Sequence, residues 1–238
     1  MNTPFETALQ LSKLREVNLK REAGVYGTGY DMDNPAERVR FYIPGSTDAN
    51  GLTQISALGD LPDAVAGVIT LNGGAYIFTH FIDLLGARIN CTADTAILGS
   101  SSETAGITST GLTPGSALIS STFSLPIQNL RITVPTGCKA FNIDGTGNPD
   151  AALDWQALNV LGGQVGTVKS VSNFVMTNSA FLSGAYGLEF DGTIGTIAFS
   201  NSLFSLPAGT MLKILSTAQS TSAVLLLSIS SSTGSTDT

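Results

Sequence analysis

The chain has 238 residues, 42% of them apolar and only 12% charged, and its net charge is −7. The apolar share can fill a substantial core, while the charged share is about half of what a soluble domain normally carries. Six basic and six acidic residues cancel within residues 1–40. The remainder, with five basic against twelve acidic residues, therefore carries the whole negative balance, and such a lysine-poor body excludes nucleic acid as the main partner.

Residues 3–23 read as a helix. Thr3 is placed to cap it, Pro4 suits its first turn, and Glu6 completes a Thr-x-x-Glu capping box. Lys20 and Arg21 suit the negative end of the helix dipole, and Gly24 stops it. Its apolar residues Phe5, Leu9, Leu11, Leu14, Val17 and Leu19 do not share one stripe. A helix apolar on several sides needs several neighbours, either its own domain or other subunits. Residues 1–45 are thus expected to form a helical attachment arm with these six residues as contacts, and residues 46–66 a connector. Within 24–66 the alternating run Arg38-Val39-Arg40-Phe41-Tyr42-Ile43 has the pattern of an exposed strand. Residues 57–62 read as a short helical turn.

From Gly67 to about residue 230 short apolar strands alternate with Gly, Ser, Thr, Asn and Asp, and no helix-length amphipathic stretch separates them. That pattern argues for an all-β body and against a doubly wound α/β fold. Two internal echoes say more. Phe174 to Phe181 and Ile197 to Phe204 share one pattern, with Asn178 matched by Asn201, 23 residues on. Residues 140–146 recur as 187–193, a spacing of 47 and close to two such periods. Periods of this size belong to solenoids, in which each repeat is one coil. The expected fold is a right-handed parallel β-helix whose ladders include Phe174, Asn178, Phe181, Ile197, Asn201 and Phe204. A β-sandwich is the alternative, and it leaves the spacings unexplained. The tail 231–238 is polar.

Cys91 and Cys138 read as small buried hydrophobes. They are also 47 apart, and two coils of separation would put their Cα atoms about 9.6 Å from each other, too far for a disulfide. His80, the single histidine, sits in Phe78-Thr79-His80-Phe81, which reads as strand, and no G-x-S-x-G elbow accompanies it. With one His and two separated Cys, no zinc ligand set is apparent, and no metal or other cofactor is expected. Glycan cleavage needs two carboxylates about 5–9.5 Å apart. Asp144, Asp154, Glu189 and Asp191 are the best candidates, with Trp155 as a sugar-stacking surface. Against this, Asp144 and Asp191 each precede Gly-Thr, which reads as a turn at a coil corner, and Trp155 suits the coil interior or a trimer seam.

The stretch 66–78, with an apolar strand, a Gly turn and a Tyr-containing strand, resembles the opening coil of phage tailspikes and other pectate-lyase-like proteins. Residues 95–101 followed by 105–107 look like their second coil. The resemblance covers about residues 66–230 and rests on patterns of residue type. It implies a phage virion protein, a homotrimer attached to the particle by its N-terminal segment: a capsid decoration protein, short fibre or tail adaptor touching other virion proteins. It carries no catalytic claim, because fold analogy does not transfer chemistry, and the chain is short for a receptor-degrading tailspike. The chain is accordingly expected not to be an enzyme. A carbohydrate-binding or glycan-cleaving module, with a host surface glycan as partner, is the alternative. No apolar run reaches the ~18 residues of a membrane span. The first residues also lack the basic-then-apolar pattern of a signal peptide. Folding in the host cytoplasm and residence on the virion are the corresponding expectations.

Overall fold

The computed structural model describes residues 52–182, 187–205, 212–215 and 224–227. The expected helical arm, with Phe5, Leu9, Leu11, Leu14, Val17 and Leu19, and the polar tail lie outside these residues. Among the described residues nineteen strands run in chain order. The first two are β1 (Leu52–Ile55) and β2 (Val68–Leu71), separated by a 3-10 turn at Leu58–Asp60. Next come β3 (Gly74–Phe78), β4 (Phe81–Asp83) and β5 (Arg88–Cys91), then β6 (Thr95–Gly99), β7 (Gly106–Thr108) and β8 (Ala117–Ser121). The middle of the chain holds β9 (Ile127–Gln128), β10 (Arg131–Asp144), β11 (Ala152–Gln156) and β12 (Asn159–Lys169). The last are β13 (Asn173–Thr177), β14 (Ala180–Leu182), β15 (Leu188–Asp191), β16 (Thr196–Ser200), β17 (Leu203–Ser205), β18 (Leu212–Ile214) and β19 (Val224–Leu227).

The ladders between these strands are parallel, and successive strands in each ladder come from successive coils. This makes a β-solenoid of about 7 turns. Two facing antiparallel sheets, the alternative architecture, are not what the chain forms. Three strand columns wrap one core. Face A is β1-β3-β6-β9-β11-β13-β16-β19. Face B runs through β4, β7, the first parts of β10 and β12, then β14 and β17. Face C runs through β2, β5, β8, the second parts of β10 and β12, then β15 and β18. Both long strands thus turn a corner without leaving the ladder, with a register shift between Val134 and Lys139.

The expected period holds as an average with insertions. Gln54, Ile77, Leu98, Gln128, Gln156, Thr177 and Ser200 stack in register, giving coils of 23, 21, 30, 28, 21 and 23 residues. Both sequence echoes are true stacking relations. Phe174 pairs with Ile197 and Phe181 with Phe204, while Phe141, Gly166 and Leu188 stack over two coils. The cysteine spacing is not such a relation. Cys91 stacks on Ser121 and then Ile143, so Cys138 falls five residues short of that ladder. Both thiols are buried and free. The first solenoid strand, β1, lies within the stretch read as connector. His80 is exposed in the corner between β3 and β4 rather than within a strand.

Alternation along each strand sends one residue set inward, and the parallel register stacks it. Ile82, Ile107, Ile132, Val160, Phe181 and Phe204 form the inner column of face B. Tyr76, Ile97, Ile127, Trp155, Met176 and Phe199 do so on face A. Each fully buried large side chain contributes about 1.5–3 kcal/mol of transfer free energy. Toward the C-terminal coils the core becomes aromatic. The Phe141 and Trp155 rings lie 4.3 Å apart, Trp155 and Phe174 5.0 Å, and Phe174 and Phe190 5.2 Å, the last two edge to face. Edge-to-face pairs add about 0.5–1.5 kcal/mol beyond area burial. The backbone bonds of each coil go to the coils above and below, which satisfies a buried main chain without helices.

Candidate functional site

Face C carries the most polar outer surface among the described coils. Because Phe141, Ile143, Val168 and Phe190 point into the core, the residues between them point out. Stacking then builds two outer rows: Asn142, Thr167, Glu189 and Lys213, and beside them Asp144, Lys169 and Asp191. Lys169 sits between two aspartates, with its Nζ 3.7 Å from Asp144 Oδ2. Lys213 Nζ donates to Glu189 Oε2 at 3.0 Å, and Lys139 Nζ to Thr167 Oγ1 at 3.1 Å. A cleft of about 340 Å³ opens over the first of these rows, lined by Lys139, Gln164, Thr167, Leu188, Glu189 and Lys213.

The Asp-Gly-Thr segments are corner turns between faces C and A. The Thr146 hydroxyl closes on Asp144 Oδ1, and the Thr146 N–H donates to the same oxygen at 3.0 Å. These bonds, helped by Lys169, hold the Asp144 carboxyl below its ordinary range. Gly192 N–H donates to Asp191 Oδ1 at 2.7 Å in the equivalent corner.

The five residues read as an alternative glycan site do not meet. Asp144, Glu189 and Asp191 share the outer surface of face C. Asp154 lies on the outer surface of face A, where desolvation raises its carboxyl. Trp155 is fully buried, and its indole N–H donates to the Leu125 carbonyl at 3.1 Å. It fills the coil interior, so it offers no surface to a sugar ring. Asp154, pushed toward its protonated form, is therefore on a different face from Asp144, which is held ionised. Retaining or inverting hydrolysis needs such a pair across one bond. The cleft on face C is instead suited to hydrogen-bonding a hydroxylated ligand, with ammonium, carboxylate and hydroxyl groups around an open floor.

Sequence reading supplied Glu189 for this cleft and passed over Lys139, Gln164, Thr167 and Lys213. Their meeting depends on register. The 47-residue echo already stacks Asn142 with Glu189, but Thr167 and Lys213 join that row only through coils with no matching motif. Among the described residues no group of three or more His, Cys, Asp or Glu is arranged to hold a metal ion, and no helix is long and apolar enough to cross a membrane. A scan against protein-family models finds no matching family, and searches of curated proteins and of solved structures find no match.

Proposed function

We propose that this chain is a non-enzymatic structural module of a phage particle: a rigid solenoid that self-associates as a homotrimer and docks on other virion proteins through its N-terminal arm. The observation that carries the reading is an apolar patch on the outside of face B. Leu161 stacks on Leu182, and on the next coil Leu203 stands in the adjacent outer column, over Ala180 and diagonal to Leu182. Leu182 and Leu203 are 44% and 41% exposed, on a body dressed mainly in Ser, Thr, Asn and Gly. Contiguous exposed leucines on the side of a rod are a natural contact for another copy. The scarcity of charge on the body and the tailspike-like opening coils support the same reading. Light scattering on the purified full-length chain is expected to give three times the mass of one chain. A monomer at high concentration overturns the proposal.

The cleft on face C favours a second reading, a carbohydrate-binding module on the same rod. Its test is a screen of host polysaccharides for binding that is lost in Glu189→Gln and Lys139→Ala variants. Turnover of any polysaccharide by the unmodified protein would replace the structural reading with an enzymatic one.

A further inference from the structure

The corner that carries the chain from β2 on face C to β3 on face A contains Asn72-Gly73-Gly74. It is the one Asn-Gly pair among the described residues, and Asn72 is exposed to water. Gly73 has φ +87°, and a Cβ there would lie 3.3 Å from both the Ala93 Cβ and the Asp94 carbonyl oxygen. The corner therefore keeps glycine at this place, and no side chain shields the main-chain nitrogen beside the Asn72 amide.

Two hydrogen-bonding features set this corner apart. Gly74 N–H donates to the Asp94 carbonyl oxygen at 3.2 Å, whereas among the described residues Gly73 N–H donates to no acceptor. Thr92, one coil on, donates its hydroxyl to Asn72 Oδ1 at 2.6 Å, closer than the 3.3 Å to the Leu71 carbonyl oxygen. A donor held on an amide oxygen stabilises the negative charge that gathers there when a nucleophile adds to the carbonyl carbon.

We propose that Asn72 is a modification site, at which the side-chain amide is lost in the folded protein without an enzyme, and that the Thr92 hydroxyl promotes the loss. Gly73 N gives its proton to hydroxide and attacks Asn72 Cγ. The new N–C bond closes a succinimide ring as the Cγ–Nδ2 bond breaks, and Nδ2 takes a proton from water and leaves as ammonia. Water then adds to either imide carbonyl and opens the ring to aspartate or isoaspartate. The sum is a gain of water and a loss of ammonia, with nothing oxidised or reduced. In the isoaspartate form the main chain runs through Cγ, which lengthens the corner by one atom. That atom falls between two inter-coil bonds, Thr92 N–H to the Leu71 carbonyl at 2.9 Å and Gly74 N–H to the Asp94 carbonyl. The inference does not rest on the virion reading.

The test incubates the folded full-length protein at mildly alkaline pH and follows residue 72 by peptide mapping and mass spectrometry. The expected result is a mass gain of about 1 Da at Asn72, in aspartate and isoaspartate peptides that separate by chromatography. Asn178 is the internal control, because the N–H that follows it donates to Ser202 Oγ at 3.5 Å, and it is expected to remain an amide. Thr92→Val keeps the shape of the side chain without the hydroxyl and is expected to slow conversion several-fold in the folded state, with no change in urea. Thr92→Ser is expected to restore the parent rate. An Asn72 that stays an amide in the folded parent while converting in urea overturns the proposal, and that comparison needs no variant. Equal folded-state rates for the parent and Thr92→Val, or for Asn72 and Asn178, also overturn it.

Discussion

The side-chain amide of Asn201 donates to Asn178 Oδ1 at 2.7 Å, and the two residues stand 23 apart at the same corner of successive coils. Both adopt left-handed backbone conformations, with φ of 46° and 51°. The corner recurs at Asn129 and Ala157, with φ of 51° and 50°, and the register places all four in one column between faces A and B. Asparagine tolerates this conformation far better than other L-residues with a Cβ. Ala157 is thus the strained member of an asparagine ladder, flanked by Asn129 and Asn178. Ala157→Asn is expected to raise stability by about 1 kcal/mol by relieving that strain. Asn178→Ala is expected to lower it by about 1–2 kcal/mol through strain and a lost hydrogen bond. Chemical denaturation midpoints of the two variants check both signs.

That ladder was readable because its side chains carry the period: Asn-Ser-apolar-Phe appears twice at one spacing. Other coils hide theirs. β12 contains Gly162, Gly163 and Gly166, which blur its strand pattern, although it bridges two faces and pairs with β10, β14 and β15. β9 has only two residues and no strand signature. For the candidate site, sequence reading supplied one residue of the cleft, Glu189, and could not sort the acids by face. Asp144 and Asp154 are ten residues apart in sequence, yet a corner between them sends one to face C and the other to face A. That sorting is a property of inter-coil register, which one coil's sequence does not contain.

Gly166 illustrates why some of those glycines are obligatory. It has φ +146°, and a Cβ added there would lie 2.2 Å from the Phe141 carbonyl oxygen one coil below. The position can shift only by disturbing the inner column of Phe141 and Leu188. Gly166→Ala is expected to cost about 1–3 kcal/mol by overpacking. Gly147→Ala, where a Cβ meets nothing within 4 Å, is the matched control, expected to stay within about 0.5 kcal/mol of the parent.

Trp155 is the only tryptophan in the chain and reports on the aromatic core directly. Fully buried between Phe141 and Phe174, it is expected to emit at short wavelength, resist iodide quenching, and shift to the red on unfolding. Trp155→Ala should cost about 3–5 kcal/mol through cavity formation. Trp155→Phe should cost less, because most of the volume is kept and the Leu125 carbonyl is the group left unpaired.

The two cysteines should be silent toward thiol reagents in the native state. Burial raises both thiols, and that of Cys91 is pushed up to about 12, so the reactive thiolate is scarce at neutral pH. Both sulfurs are expected to label with a disulfide-exchange reagent only at the rate of unfolding. Fast labelling of either one before unfolding contradicts their placement.

The pH dependence of stability should divide the aspartates by sign. Burial works against ionisation at Asp60 and Asp83, but hydrogen bonds outweigh it: from Ser56 and Ala57 at Asp60, and from Thr110 and Leu85 at Asp83. Asp144 is held low by Thr146 and Lys169. A carboxyl lowered on folding adds stability above its unfolded value of about 3.9, and that stability is lost as pH falls through the folded value. Acid unfolding is therefore expected below about pH 4, with a shallower pH slope in Asp83→Asn. Asp154 has the opposite sign. Desolvation raises its carboxyl, so the folded state prefers it protonated and stability declines as pH rises from the unfolded value through the raised one. Asp154→Asn should then stabilise the protein at pH 7, with the gain shrinking to nothing below about pH 3.9, where the parent side chain is neutral in both states. Paired urea titrations of parent and variant at those two pH values measure this. A gain that persists in acid would place its origin outside the ionisation of Asp154.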